Sequence, residues 1–263
     1  MTSLENTLKN LKNHNNLGLM THVVIGYPTL ADTVKIVKVM AENGADLIEL
    51  QIPFSDPLAD GPTIMRACEK SLERGTKVKD AFEIMKLLSS QISTPLLFMA
   101  YYNTVFKYGV EKFCQDAKAS GASGLIVPDI PIDEEDEEHF LLFCKKNNLA
   151  NIQIISPAST DERLKKNADI ASGFVYCTAH QGITGVKNQL DLATTDYLKR
   201  IRKFFSIPIA VGFGLSKKEH LEQLVPYTDI ADIGSAIINI IDESSSGIVY
   251  LQKIKNFLNL LQM

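Results

Sequence analysis

Short apolar runs rich in β-branched residues recur along the chain, each followed by a longer stretch whose apolar positions return every three or four residues. The runs are His22 to Ile25, Leu47 to Ile52, Leu96 to Ala100, Leu125 to Val127, Ile152 to Ile155, Phe174 to Cys177, Ile207 to Val211 and Ile230 to Ile233. Runs of this length read as buried strands and the stretches between them as amphipathic helices. From Leu30 to Asn43, for example, Val34, Val37 and Met40 share one helical face, and Gly44 stands where a helix can end. Thr2 with Glu5, and Ser216 with Glu219, have the spacing of reciprocal N-cap pairs, so a helix is expected before the first strand. The second unit is longer than the others, because Pro62 to Arg74 and Lys77 to Gln91 both read as helices. Eight strands alternating with helices predict an α/β fold of the (β/α)8 barrel type, with an extra N-terminal helix and an extra helix in the second unit. A doubly wound open sheet is the alternative arrangement of the same elements.

The length of 263 residues fits one such barrel, and no Gly/Ser/Pro linker divides the chain, so residues 1–263 are expected to form a single domain. The hydrophobic fraction of 45% and charged fraction of 22% are those of an ordinary soluble protein. A net charge of -4 argues against nucleic acid as the main partner. No apolar run approaches the ~20 residues of a membrane span. The N-terminus carries Lys9 and Lys12 without an apolar segment, and Cys68, Cys114, Cys144 and Cys177 lie far apart in sequence, so a reducing cytoplasm is expected. The acidic run Asp133 to Glu138 is expected to open the fourth helix as a solvated face.

Barrels of this kind place their chemistry at the C-terminal ends of the strands. In the second strand, alternation puts Glu49 and Gln51 on one face and Ile48, Leu50 and Ile52 on the other. The apolar set should meet the helices. Glu49 then points into the barrel, where desolvation suits it to acid/base work, or where it pairs with a structural cation. Asp56 and Asp60 follow between prolines and a glycine, in positions that turn chemistry also favours. After the seventh strand comes Gly212-Phe-Gly214, and after the eighth Gly234-Ser-Ala236. Glycines in those two loops let backbone N–H groups approach an anion, and phosphate is the anion such barrels place there, although turn glycines read the same way. Thr184, in the glycine-bearing loop Gln181 to Gly185, could hydrogen-bond a neighbouring carboxylate. The five histidines have no metal-binding spacing, and no nucleotide-binding fingerprint or nucleophile elbow occurs. What remains is metal-free and cofactor-free acid/base chemistry on a small phosphorylated molecule.

The run Glu49-Leu-Gln-Ile-Pro-Phe-Ser-Asp-Pro-Leu-Ala-Asp-Gly-Pro-Thr63 closely resembles the signature of the tryptophan synthase α subunit family. Gly26-Tyr-Pro28, Tyr101-Tyr-Asn103, Pro128-Asp-Ile-Pro131, Gly182-Ile-Thr-Gly185, Gly212-Phe-Gly214 and Gly234-Ser-Ala236 follow in the family's order, so the resemblance spans nearly the whole chain. It implies retro-aldol cleavage of indole-3-glycerol phosphate to indole and glyceraldehyde 3-phosphate, in an α2β2 complex with a tryptophan synthase β subunit. By the same resemblance, Glu49 moves the protons and Asp60 binds the indole N–H. Tyr176 assists, Thr184 orients Asp60, and Gly185, Gly214, Gly234 and Ser235 hold the phosphate. Phe213 falls at the indole pocket, and Asp56 and Asn103 where the family meets its β subunit.

Three positions depart from the family pattern. Gln51 stands where the family commonly has glycine, His22 where it has an aromatic or apolar residue, and Asp232 where it has an aliphatic one. Alternation points all three inward, and buried polar groups should be bonded. They either satisfy one another and leave the reaction unchanged, or make a more polar pocket that prefers a modified substrate or works slowly. Two other functions stay open: a subunit that mainly binds and activates a β partner, and a stand-alone phosphate-barrel lyase.

Overall fold

A computed structural model of the chain describes residues 2–14, 16–130, 133, 135–178, 192–212 and 214–262. Its strands are β1 (Gly18–Val24), β2 (Leu47–Gln51), β3 (Leu96–Met99), β4 (Gly124–Ile126), β5 (Ala150–Ile155), β6 (Val175–Thr178), β7 (Ile209–Gly212) and β8 (Ile230–Ile233). They pair in parallel in sequence order, and β1 pairs with β8 to close the barrel. Closure excludes the open sheet. The eight expected strands are all present. The first and fifth begin earlier than their β-branched runs, at Gly18 and Ala150, because neighbouring strands supply ladder partners there: Ile230 for Gly18 and Gly124 for Ala150.

The helices are α1 (Ser3–His14), α2 (Leu30–Glu42), α3 (Pro62–Glu73), α4 (Val78–Ser89), α5 (Tyr102–Tyr108), α6 (Val110–Ala119), α7 (Glu135–Glu138), α8 (Phe140–Lys146), α9 (Asp161–Ile170), α10 (Leu192–Arg202), α11 (Lys218–Leu224), α12 (Ser235–Asp242) and α13 (Gly247–Leu261). The second unit holds two helices, α3 and α4, as its length predicts. Thr2 and Glu5 form the reciprocal cap of α1: the Thr2 N–H donates to Glu5 Oε2 at 2.7 Å, and the Glu5 N–H donates to Thr2 Oγ1 at 3.2 Å. Gly44, at φ +99°, lets the chain turn out of α2. The expected cap at Ser216 is not formed. The helix starts one residue later than that spacing requires, with Lys217 at the N-cap and no side-chain bond.

Within the acidic run, Glu135 does more than face solvent. His139, at φ 54°, divides it from α8, and both Glu135 carboxylate oxygens accept backbone N–H groups of Leu141 and Leu142, at 2.7 and 2.9 Å. Glu135 thereby satisfies N–H groups of the first turn of α8 that have no partner within the helix.

Two apolar layers result from strand alternation. Ile48, Leu50, Phe98, Val175, Ile209, Ala231 and Ile233 face the helices. Met20, Leu47, Leu97, Ile126, Ile152, Phe174, Ala210 and Ile230 fill the barrel, and Leu4 and Leu8 of α1 join them. The amphipathic N-terminal helix therefore closes the bottom of the barrel, and the polar inward residues are left to its upper half.

Candidate active site

Above the apolar filling, the inward positions change character. Continuing the alternation from Leu47, Met20, Phe174 and Ile230 brings Glu49 and Gln51 on β2, His22 on β1, Tyr176 on β6 and Asp232 on β8 into the upper barrel. His22 lies in register with Glu49 on the adjoining strand. Glu49 is 6% exposed, Gln51 0%, His22 3% and Asp232 6%. The expected inward orientation of the three departures is thus met.

Burial is the largest influence on Glu49. It raises the pKa well above the ordinary glutamate value, and the nearby Asp232 and Asp60 carboxyl groups push in the same direction. A protonated carboxyl is what a general acid at neutral pH requires. Asp232 is likewise raised by burial, to about 7, against the opposing bond from Tyr176. The Tyr176 hydroxyl donates to Asp232 Oδ2 at 2.8 Å, and it reaches that oxygen across Gly212, where any Cβ would lie 1.9 Å from the hydroxyl. Gly234 performs the same service for His22, since a Cβ there would fall 2.8 Å from Nδ1. Gly212 and Gly234 thus each clear space for an inward polar side chain from a neighbouring strand, whereas an added Cβ at Gly214 would meet nothing within 4 Å.

Asp60 hangs from the loop after β2 and, among the described residues, is tied to the barrel by two donors. Gln51 Nε2 donates to Asp60 Oδ2 at 2.7 Å and the Tyr101 hydroxyl donates to the same oxygen at 3.0 Å. Burial raises the Asp60 pKa, and the Gln51 and Tyr101 donors, in that order, oppose it. Tyr101 also accepts the Ala59 N–H at 2.9 Å and stacks on Phe54 with ring centroids 5.1 Å apart. Tyr101 was not singled out from the sequence as a site residue. The signal was present, because Tyr101 continues the inward series Leu97, Met99 at the end of β3.

The three departures do not form one mutually satisfied cluster. Gln51 is bonded to Asp60 and Asp232 to Tyr176, while His22 Nε2, Gln51 Oε1 and Asp232 Oδ1 have no hydrogen-bond partner among the described residues. Burial lowers the His22 pKa to about 4, so its ring is neutral at physiological pH; the Gln51 side chain beside it acts in the opposite direction without forming a hydrogen bond of normal geometry. An unpartnered buried polar atom costs about 1–3 kcal/mol, so these three atoms are poised to accept partners.

At the rim, Gly214 turns out of the β7 segment with φ +68°, and Gly234 is the N-cap of α12, whose first residue is Ser235. The ends of β7 and β8 are adjacent, which places both turns on one side of the mouth. Asp56 and Asn103 are exposed, outside the barrel interior. Thr184, Gly185 and Phe213 lie outside the described residues.

A closed β/α barrel that holds one buried carboxyl of raised pKa beside a second, hydrogen-bonded carboxyl at its C-terminal mouth has the arrangement that enzyme barrels use for acid/base chemistry. A family model described as tryptophan synthase alpha chain matches residues 8–261. The tryptophan synthase alpha chain of Desulfotalea psychrophila is 44% identical over 242 residues, covering 92% of this chain and 94% of its own length. That of Petrotoga mobilis is 38% identical over the full length of both. Among solved structures, tryptophan synthase subunit alpha from Legionella pneumophila superposes with a TM-score of 0.91 at 29% identity, over 99% of this chain and 97% of its own. The chain belongs to the tryptophan synthase alpha chain family, whose carbon–carbon lyase reaction splits indole-3-glycerol phosphate into indole and glyceraldehyde 3-phosphate.

Proposed function

We propose that Glu49 and Asp60 divide the work of that cleavage in this chain, the observation carrying the reading being a buried Glu49, its pKa raised by burial and by the neighbouring carboxyl groups, beside a hydrogen-bonded Asp60. The Glu49 carboxyl gives its proton to indole C3, and positive charge develops on the ring nitrogen. Asp60 accepts the ring N–H and stabilises that charge. The Glu49 carboxylate so formed then takes the proton of the side-chain hydroxyl as the bond from C3 to the side chain breaks. The aldehyde forms, the bonding electrons return to the ring, and indole leaves with the proton that Glu49 supplied. Tyr176 assists by holding Asp232 beside Glu49.

The phosphate is assigned to Gly214, Gly234 and Ser235, where an α-helix N-terminus contributes its positive dipole end, with Gly185 completing the set. Docking of a β subunit is assigned to the face that carries Asp56 and Asn103. Leu58 and Phe106, 89% and 57% exposed, supply apolar surface on the same loop and helix, and the Tyr101–Ala59 bond ties those two elements together. No described helix is long and apolar enough to cross a membrane, and a cytoplasmic α2β2 assembly is the setting that fits the reading.

Indole release from indole-3-glycerol phosphate by the purified chain tests the proposal. Release is expected, and is expected to be faster with a cognate β subunit. Failure to form indole with or without the partner would overturn the lyase assignment.

A further inference from the structure

The geometry points to Gln51 as a positioning residue that holds Asp60 in its ring-binding orientation from the barrel wall, before substrate arrives. The inference rests on the assignment of the ring N–H to Asp60.

Asp60 belongs to a partly exposed loop, and a carboxylate on such a loop has many orientations unless something fixes it. Among the described residues two groups fix it, and they are unequal in origin. Tyr101 follows β3 and bonds both the loop backbone at Ala59 and the carboxylate. Gln51 is fully buried on β2 itself, one of the most constrained places in the molecule, and its bond to Asp60 is the shorter of the two. Both donors converge on Oδ2, so Oδ1 takes no hydrogen bond from the described residues and stays available to a ring N–H.

The acceptor also fixes the glutamine. A carboxylate oxygen can face only the amide NH2, so Oε1 must point the other way, towards His22. Gln51 Oε1 and His22 Nε2 both have no hydrogen-bond partner among the described residues, and a neutral imidazole carrying its proton on Nε2 is the complementary donor. A bond between these neighbouring groups would complete a chain from His22 through Gln51 to Asp60. The space for that ring exists because residue 234 is glycine. The three polar residues thus have separate uses: Asp232 serves Tyr176 and Glu49, while His22 and Gln51 serve Asp60.

The test replaces Gln51 by methionine, which keeps the volume and removes the donor, and separately by glycine, which removes the side chain. Thermal melting verifies folding of each. The probes are the pH profile of kcat/KM for indole-3-glycerol phosphate and the affinities for two ligands: glycerol 3-phosphate, which has no ring, and a non-cleavable indole analogue with an unsubstituted propyl phosphate side chain. For both variants kcat/KM should fall about tenfold to a hundredfold, as for a misplaced catalytic group. Affinity for the ring analogue should fall while that for glycerol 3-phosphate holds within about twofold.

The acid limb of the profile should move to higher pH, because Asp60 loses a bond that favours its charged form. The other titratable groups around Asp60, namely Glu49, Tyr101, Cys68 and Tyr176, are retained in both variants. A merely structural glutamine would lower stability without moving the limb. Folded variants with an unmoved acid limb and kcat/KM within about twofold would overturn the positioning role. A wild-type chain that releases no indole would overturn instead the lyase reading beneath it.

Discussion

Replacing Gly212 with alanine converts a contact into a measurable free energy. The added Cβ would sit 1.9 Å from the Tyr176 hydroxyl and 2.7 Å from Cζ, whereas non-bonded carbon contacts settle near about 3.5 Å. The hydroxyl must therefore retreat by about 1.5 Å, which is enough to break its bond to Asp232. Two costs follow. Forcing a methyl group into packed surroundings costs about 1–3 kcal/mol. Stripping Asp232, whose Oδ1 has no partner among the described residues, of the Tyr176 donor adds about 1–3 kcal/mol. A total of about 2–6 kcal/mol is expected. In a Tyr176→Phe background the hydroxyl is absent and the Asp232 bond is already lost, so only the milder Cζ contact remains and the same substitution should cost about 1–2 kcal/mol. The assay is urea denaturation followed by far-UV circular dichroism on the wild type, both single variants and the double variant. Costs that add within about 0.5 kcal/mol would refute the claim that Gly212 exists to let Tyr176 reach Asp232.

Two further outcomes concern Asp232 and Tyr101. Asp232, raised to about 7, keeps in the native state a proton that the unfolded chain has lost from about pH 4 upward, so its contribution to stability falls as pH rises through that window. His22, lowered to about 4, stays neutral while the unfolded chain is still protonated up to about pH 6.5, so its contribution rises with pH. Asp232→Asn removes the Asp232 component and eases the upward push on Glu49, both of which fall with pH: relative to wild type, its stability should climb by up to about 1.4 kcal/mol per pH unit between about pH 4 and 6.5, and parallel curves would contradict the assignment. Tyr101→Phe removes both the grip on the Ala59 N–H and one donor to Asp60. It should lower kcat/KM about tenfold or more with little change in glycerol 3-phosphate affinity, and an unchanged kcat/KM would remove Tyr101 from the site.

The barrel was legible because its strands are short, apolar and separated by helical periodicity, and because a period of two leaves no choice about which side chains share a face. Glu49, Gln51 and Asp232 were placed inside by that rule alone, and the structure has them there. What alternation cannot convey is which inward group bonds to which, since that depends on stagger between strands. The reach of Tyr176 across Gly212 to Asp232 joins β6 to β8 over an intervening strand, and no sequence spacing encodes it. Helix ends were less legible where the cap is tertiary. Glu135 caps α8 from beyond a left-handed His139, so the acidic run read as solvated when part of it serves the backbone. Asp60 looked like turn chemistry from its neighbours; beyond the family resemblance, its donors Gln51 on β2 and Tyr101 just after β3 distinguish it from Asp56, whose side chain bonds the adjacent Ser55.

The division of labour between Glu49 and Asp60 is tested most directly by Glu49→Gln, which preserves shape and removes the transferable proton. Single-turnover cleavage of indole-3-glycerol phosphate should fall by about three orders of magnitude or more, while affinity for glycerol 3-phosphate stays within about twofold of wild type. Cleavage retained within about tenfold of wild type would contradict Glu49 as the proton carrier.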